Sequence, residues 1–196
     1  LAGRDIYPED RFPAAQWDQQ LFYRESLERA TAAYGVDVRS TVRALFRASD
    51  ASGRGKPARS AFARQKGGLL GPKGAPKVPR DDQVLSEQDE HRYVEALERN
   101  GFFGPNSWYM NGEADTAYAL RGNQRLPMPV LFLHARYDYI CTTVEGQLAD
   151  PMRKHCDQLN EMTVDSGHWM AQEKPVQVNA ALARWLATQL PAAWRA

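Results

Sequence analysis

The stretch Pro129-Val-Leu-Phe-Leu-His-Ala-Arg-Tyr-Asp138-Tyr constrains the chain more than any other. Its apolar residues follow one another without alternation, and Pro129 stands ahead of them. A strand with one wet face alternates apolar and polar side chains, so an unbroken run predicts a strand buried on both faces of a parallel sheet. Parallel strands need crossover connections, which commits residues 129–196 to alternating strand and helix. Asp138 falls where the run gives out, at the strand's carboxyl end. That edge of an open α/β sheet is where ligands and reacting groups gather.

A carboxylate at that edge needs a partner. The next strand-like run, Glu161-Met-Thr-Val-Asp165, leads directly into Ser166-Gly167-His168-Trp169. His168 lies 30 residues after Asp138, the length of one strand–helix–strand excursion back to the same edge. An acid followed by a histidine is the second half of the nucleophile–acid–histidine order of α/β hydrolases. A neutral imidazole takes a proton from water at neutral pH, and a carboxylate on its other nitrogen fixes the tautomer and stabilises the imidazolium. The nucleophile is missing, because no aspartate here sits in a sharp strand–turn–helix setting. Two strands do not make a doubly wound sheet, so the remaining strands are expected from outside the chain. His134 inside the strand reads as a packed core histidine, and His91 and His155 as solvent-facing helix residues. No internal repeat and no metal-ligand spacing is present, and neither metal nor cofactor is expected.

The 196 residues allow one domain with a sizeable core or two small ones. With 25 basic against 24 acidic residues, nothing drives the chain toward nucleic acid or an anionic membrane. Its apolar runs are too short to span a bilayer. Cys141 and Cys156, the two cysteines, read as reduced buried thiols suited to a cytoplasm. Leu1-Ala-Gly-Arg-Asp opens the chain without a methionine or a signal peptide and reads as the continuation of an earlier element, so a fragment or processed chain is expected.

Residues 1–13 carry Pro8 and Pro13 and read as irregular. A helix is predicted over 14–34, burying Trp17, Leu21, Phe22, Ala30 and Ala33, with Gly35 as its stop. Asp37 caps a second helix, whose Val38, Thr41, Val42, Leu45 and Phe46 share one face. Residues 51–80 hold eight basic residues, no acidic one and many Gly and Pro, and read as a solvated surface loop with one short helix near 60–66. Ser86-Glu-Gln-Asp89 resembles a capping box for a helix ending at Asn100-Gly101. Another short helix is expected to start at Pro105. Further on, Asp150-Pro151 opens a short helix carrying Met152 and Cys156. Pro175 opens the last helix, with Val178, Ala181, Leu182, Trp185 and Leu186 as its apolar stripe.

Several separated stretches are similar to the soluble epoxide hydrolases of the α/β-hydrolase superfamily, in their microbial and fungal branch. They are Phe132-Leu-His-Ala-Arg-Tyr-Asp138-Tyr, Pro151-Met-Arg, Ser166-Gly-His168-Trp-Met-Ala-Gln-Glu-Lys-Pro175 and Asn100-Gly-Phe-Phe-Gly-Pro-Asn-Ser-Trp-Tyr109-Met-Asn. Phe12-Pro-Ala-Ala-Gln-Trp17-Asp18 and Gly55-Lys-Pro-Ala58 resemble that family's helical cap. The resemblance implies a partial α/β-hydrolase fold, with a helical cap over 1–122 and the C-terminal part of the core over 123–196. It implies that an epoxide and water become a vicinal diol through an aspartyl ester, with no cofactor. Asp138 then orients His168, His168 activates water, and Tyr109 donates a hydrogen bond to the epoxide oxygen. A substrate pocket between cap and core is expected to be lined by Trp17, Gln19, Tyr23, Phe102, Trp169 and Met170.

Two departures from the family pattern matter. Gln19 stands where the family places its first tyrosine, and an amide donates a hydrogen bond without supplying a proton; Tyr23 lies four residues further along the same helix side. The family's nucleophile lies ahead of the cap, outside this chain. The alternatives are a haloalkane dehalogenase-like or other α/β-hydrolase, and a non-catalytic subunit that docks through the basic stretch. The expected partners are an epoxide substrate and water, together with the missing half or further copies of the chain.

Overall fold

A computed structural model describes residues 7, 9–10, 12, 16–122 and 124–191. The irregular segment read at 1–13 and the helix start at Ala14 fall largely or wholly outside the described residues, but Gln16 and Trp17, read as helical, are described and are not helical. Helix α1 spans Asp18–Gly35 and buries Phe22, Tyr23, Ala30, Ala33 and Tyr34. It bends at Ser26, whose φ of −153° is not helical. Asp37 caps α2 (Val38–Leu45) by accepting from the Ser40 N–H at 2.9 Å, as its side-chain chemistry favours.

The basic stretch holds the short helix read near 60–66, and its flanks at 51–59 and 71–80 are exposed or half-buried, but its middle is packed rather than solvated. A 3₁₀ turn over Arg59–Phe62 continues into α3 (Ala63–Lys66), and Ser60, Ala61, Ala63 and Leu70 are buried. Alanine at the contact lets the turn approach α1 closely. Arg64 anchors it, donating from its backbone N–H and its Nε to the buried Asp18 carboxylate at 2.7 and 2.5 Å. That pair joins residues 46 positions apart, beyond the reach of local composition.

Helix α4 (Glu87–Asn100) opens on Ser86, whose hydroxyl accepts from the Asp89 N–H and donates to the Asp89 carboxylate. It closes on Gly101 at φ +69°, a left-handed conformation for which glycine is suited. Helix α5 covers Phe103–Ser107, so Pro105 sits inside the first turn rather than starting it. A 3₁₀ turn over Trp108–Met110 and α6 (Gly112–Ala119) follow. Two apolar clusters hold this region together. One gathers Phe22, Tyr23, Tyr34, Ala63, Leu70 and Phe102, and the other Val42, Phe46, Val84, Leu85 and Val94.

Strands β1 (Leu126–Ala135) and β2 (Cys156–Val164) pair in parallel, with Val130 opposite Leu159 and Ala135 opposite Val164. Their crossover contains α7 (Asp150–His155). Cys156 is the first residue of β2 rather than part of that helix, because it pairs with Leu126 across the ladder. Helix α8 (Met170–Glu173) and α9 (Pro175–Gln189) complete the described chain. Helix α9 packs on both strands, and its Trp185 Nε1 donates to Asn160 Oδ1 at 2.9 Å. The sheet is nevertheless not covered on both faces: Met128 is 53% and Met162 37% exposed, and Leu182 of the predicted stripe is also exposed. No helix is long and apolar enough to cross a membrane among the described residues.

Candidate active site

The two loops leaving β1 and β2 are zipped together beyond the strands. The Arg136 N–H donates to Val164 O and the Tyr137 N–H to Ser166 O, each at 2.9 Å. This extension of the ladder brings Asp138 and His168 side by side. Asp138 Oδ1 accepts from the Ile140 and Cys141 N–H groups at 2.9 Å, which fixes a tight turn. Its Oδ2 lies 2.9 Å from His168 Nδ1. The acid is mostly shielded, at 12% side-chain exposure, whereas the imidazole is 37% exposed. The hydrogen bond to Asp138 raises the His168 pKa above its ordinary 6.5, and the Glu173 charge adds to the effect against a desolvation penalty. With Nδ1–H bonded to the acid, Nε2 carries the lone pair that can accept a proton.

The helical region grips both loops. Gln16 Nε2 donates to Tyr139 O while its Oε1 accepts from the Ala58 N–H at 2.9 Å. Trp17 Nε1 donates to Ile140 O at 2.8 Å, Tyr7 OH bonds Thr142 Oγ1 at 2.8 Å, and Tyr139 OH donates to Asp50 O at 2.6 Å. On the histidine side, Trp169 Nε1 donates to Leu45 O at 2.8 Å and its ring stacks on Phe46 with centroids 4.1 Å apart. The Gly167 N–H donates to Glu173 Oε2 at 2.8 Å. A Cβ on Gly167 would meet Ser49 and Glu173 atoms at 2.8 Å, so the close approach of this loop to the helical region requires glycine.

The residues singled out by sequence fall into two groups. Trp17 and Trp169 flank Asp138 and His168 as described, with Met170 half-buried at the start of α8. The other group is aromatic. Tyr109, 42% exposed, packs its ring 5.4 Å from that of buried Tyr23. Tyr23 OH is 2.7 Å from Tyr34 OH, and Phe102 meets the Tyr34 ring edge-on. Burial pushes the Tyr34 phenol up to about 12, and it raises Tyr23 as well. Gln19 is 9% exposed, and its Oε1 is buried without a hydrogen-bond partner among the described residues. No hydrogen bond or ring contact joins the two groups among the described residues. A cavity of about 200 Å³ adjoins Asp138, lined by Tyr7, Phe12, Arg136, Tyr139 and the 142–146 segment; none of the six expected pocket residues lines it.

His134 is a buried histidine, as read, bonded to Thr143 Oγ1 and Glu161 Oε1. His91 is exposed and His155 half-buried. Both thiols are free and half-buried. Burial, with the Asp138 charge adding to it, raises the Cys141 thiol to about 11. Sequence spacing suggested no metal ligands. The fold does gather three donor types, from Asp138, Cys141 and His168, with donor atoms all within 4.8 Å of one another. No site role was read for Gln16, Tyr139, Phe46 or Glu173, although Gln16, Tyr139 and Glu173 stand inside the motifs quoted above and Phe46 on the apolar face read for the second helix.

The strand order, the crossover and the acid and histidine on adjacent carboxyl-end loops define part of an α/β-hydrolase fold. Solved structures with this fold include an epoxide hydrolase A from Mycobacterium thermoresistibile, with TM-score 0.61, 23% identity and coverage of 96% of this chain and 54% of that one. An epoxide hydrolase mutant from Vigna radiata has TM-score 0.58 at 16% identity, covering 94% and 55%. By sequence, the chain is similar to mouse bifunctional epoxide hydrolase 2, 28% identical over 176 residues that cover 89% of this chain. It is also similar to epoxide hydrolase B of Mycobacterium tuberculosis, 35% identical over 108 residues that cover 52% of this chain. The chain spans 30% and 29% of the lengths of these two curated relatives. No family model matches. The chain is therefore similar to the epoxide hydrolases of the α/β-hydrolase superfamily.

Proposed function

We propose that this chain supplies the cap and the C-terminal part of the core of an epoxide hydrolase, with the cap over 1–122 and the core part over 123–196. The observation that carries the reading is the 2.9 Å Asp138–His168 pair at adjacent strand ends, in a chain whose relatives bear that name. No described aspartate sits on a strand–turn–helix elbow, so in this reading the nucleophile comes from sequence outside this chain. That carboxylate attacks an epoxide carbon, the carbon–oxygen bond breaks, and the departing alkoxide takes the phenolic proton of Tyr109. His168 Nε2 then removes a proton from water, whose oxygen attacks the carbonyl carbon of the ester. The ester bond breaks, the leaving oxygen of the vicinal diol takes the proton back from His168, and the second water proton passes from the regenerated carboxyl to the Tyr109 phenolate. Asp138 holds the imidazole and stabilises its protonated form. Gln19, with an amide where a second phenol is expected, adjusts the oxygen site without supplying a proton. These roles are met by side chains and water. Cytoplasmic residence fits the two free thiols.

The test is diol formation from a simple aryl epoxide by protein that carries the rest of the hydrolase domain. His168→Ala is expected to lower the rate by about 10²–10⁴-fold. Tyr109→Phe is expected to lower it by about 10²-fold. A folded protein that forms no diol but releases halide from a haloalkane would overturn the epoxide reading in favour of a dehalogenase.

A further inference from the structure

The residues of the acid turn have a second chemistry that water activation does not use. Asp138, Cys141 and His168 offer a carboxylate oxygen, a sulfur and a ring nitrogen within 4.8 Å of one another. These are the three donor types that hold zinc and its heavier congener cadmium, and thiolate in particular selects soft or borderline ions over magnesium and calcium. Ligands at 2.0–2.3 Å from a shared tetrahedral ion stand roughly 3.3–3.8 Å apart, so the donors need to close by only about 1 Å.

The turn is built before any ion arrives. Asp138 Oδ1 fixes the Cys141 N–H at 2.9 Å, and Trp17 Nε1 fixes Ile140 O at 2.8 Å. These two bonds hold the Cys141 backbone beside the acid–histidine pair, so the sulfur stays within 4.8 Å of the other two donors. His168 is held from the opposite side through Trp169 and Gly167. Little ordering is left to be done on binding.

We infer that Asp138, Cys141 and His168 form a three-ligand binding site for a soft divalent cation of the zinc and cadmium type. The ion replaces the thiol proton and occupies one His168 nitrogen together with an Asp138 oxygen. Water or a small anion fills the fourth position, the arrangement of an open site. Since the imidazole lone pair and the orienting carboxylate are both consumed, the bound ion is an inhibitor of proton transfer at His168 rather than a cofactor for it. The inference stands on the geometry of the three side chains and not on the epoxide reading, and its test is spectroscopic, so either fails without the other.

Cadmium chloride titrated into the purified protein under a non-thiol reductant is expected to produce the ultraviolet thiolate-to-cadmium charge-transfer band, saturating at one ion per chain. Zinc added afterwards is expected to bleach it by competition. Cys141→Ser removes the band, Cys156→Ser leaves it unchanged, and His168→Ala weakens cadmium binding by about tenfold or more. Cys141→Ala serves as a second variant, with far-ultraviolet circular dichroism to establish that each is folded. A band that survives in folded Cys141→Ser or Cys141→Ala, that disappears only in Cys156→Ser, or that never forms overturns the site.

Discussion

His168 Nδ1 sits 2.9 Å from a carboxylate oxygen while the ring itself keeps substantial contact with water. Because its pKa is raised, the folded protein binds the proton more tightly than the unfolded chain does. The pair therefore stabilises the fold on the acid side, below the ordinary value of 6.5, and that contribution is lost as pH rises through the raised pKa. Comparing the unfolding free energy of the parent and His168→Ala across this range should show a gap that narrows toward alkaline pH. A ring-proton NMR titration should place the His168 midpoint above 6.5, and Asp138→Asn should bring it down further than Glu173→Gln does. A midpoint that stays put in Asp138→Asn would remove the electrostatic account of the pair.

At the scale of elements, two arginines of the basic stretch predict different outcomes. Arg64 satisfies Asp18, whose side chain is 2% exposed, while Arg54 meets Glu145 with both partners largely in water. Arg64→Ala strands a buried carboxylate and should cost about 2 kcal/mol or more, even with its own side chain partly exposed. Arg54→Ala should stay within about 0.5 kcal/mol. Leu85→Ala, at a side chain 1% exposed between α2 and α4, should cost about 2–5 kcal/mol. Urea denaturation measures all three. The caps Asp37 and Ser86, the stop at Gly101 and the opening of α9 at Pro175 were legible in the sequence because each acts within four residues of itself. The burial of residues 60–63 was not legible, because it depends on a partner in α1. Asp138 and His168 were legible together because strand ends share an edge; Cys141 beside them was not, since i, i+3 spacing around a turn carries no ligand signature. The family resemblance placed Tyr23 and Phe102 with Tyr109, but the part played by Tyr34 depends on how α5 and the turn after it settle against α1.

At the scale of the molecule, the two-stranded sheet is half-exposed and presents Leu126, Met128 and Met162 to solvent. Among the described residues each strand also has one edge without a strand partner. Such edges template pairing with other chains. The 196-residue chain on its own is expected to associate with rising concentration, as sedimentation velocity would reveal, and a monodisperse monomer at high concentration would contradict this.

The bonds from the helical region that hold the acid turn and the histidine loop also carry a kinetic consequence. Tyr7 to Thr142, Trp17 to Ile140 and Leu45 to Trp169 link positions 135, 123 and 124 residues apart, whereas the acid and histidine themselves are separated by 30. Long loops close late in refolding, after helices that need only neighbouring residues have formed. A refolding chain should regain its helical circular dichroism first. The stacked environment of Trp169 and the shifted titration of His168 should appear only in the slowest phase. The acid–histidine pair is then a timer of complete folding, silent in every intermediate whose helical region has not yet docked.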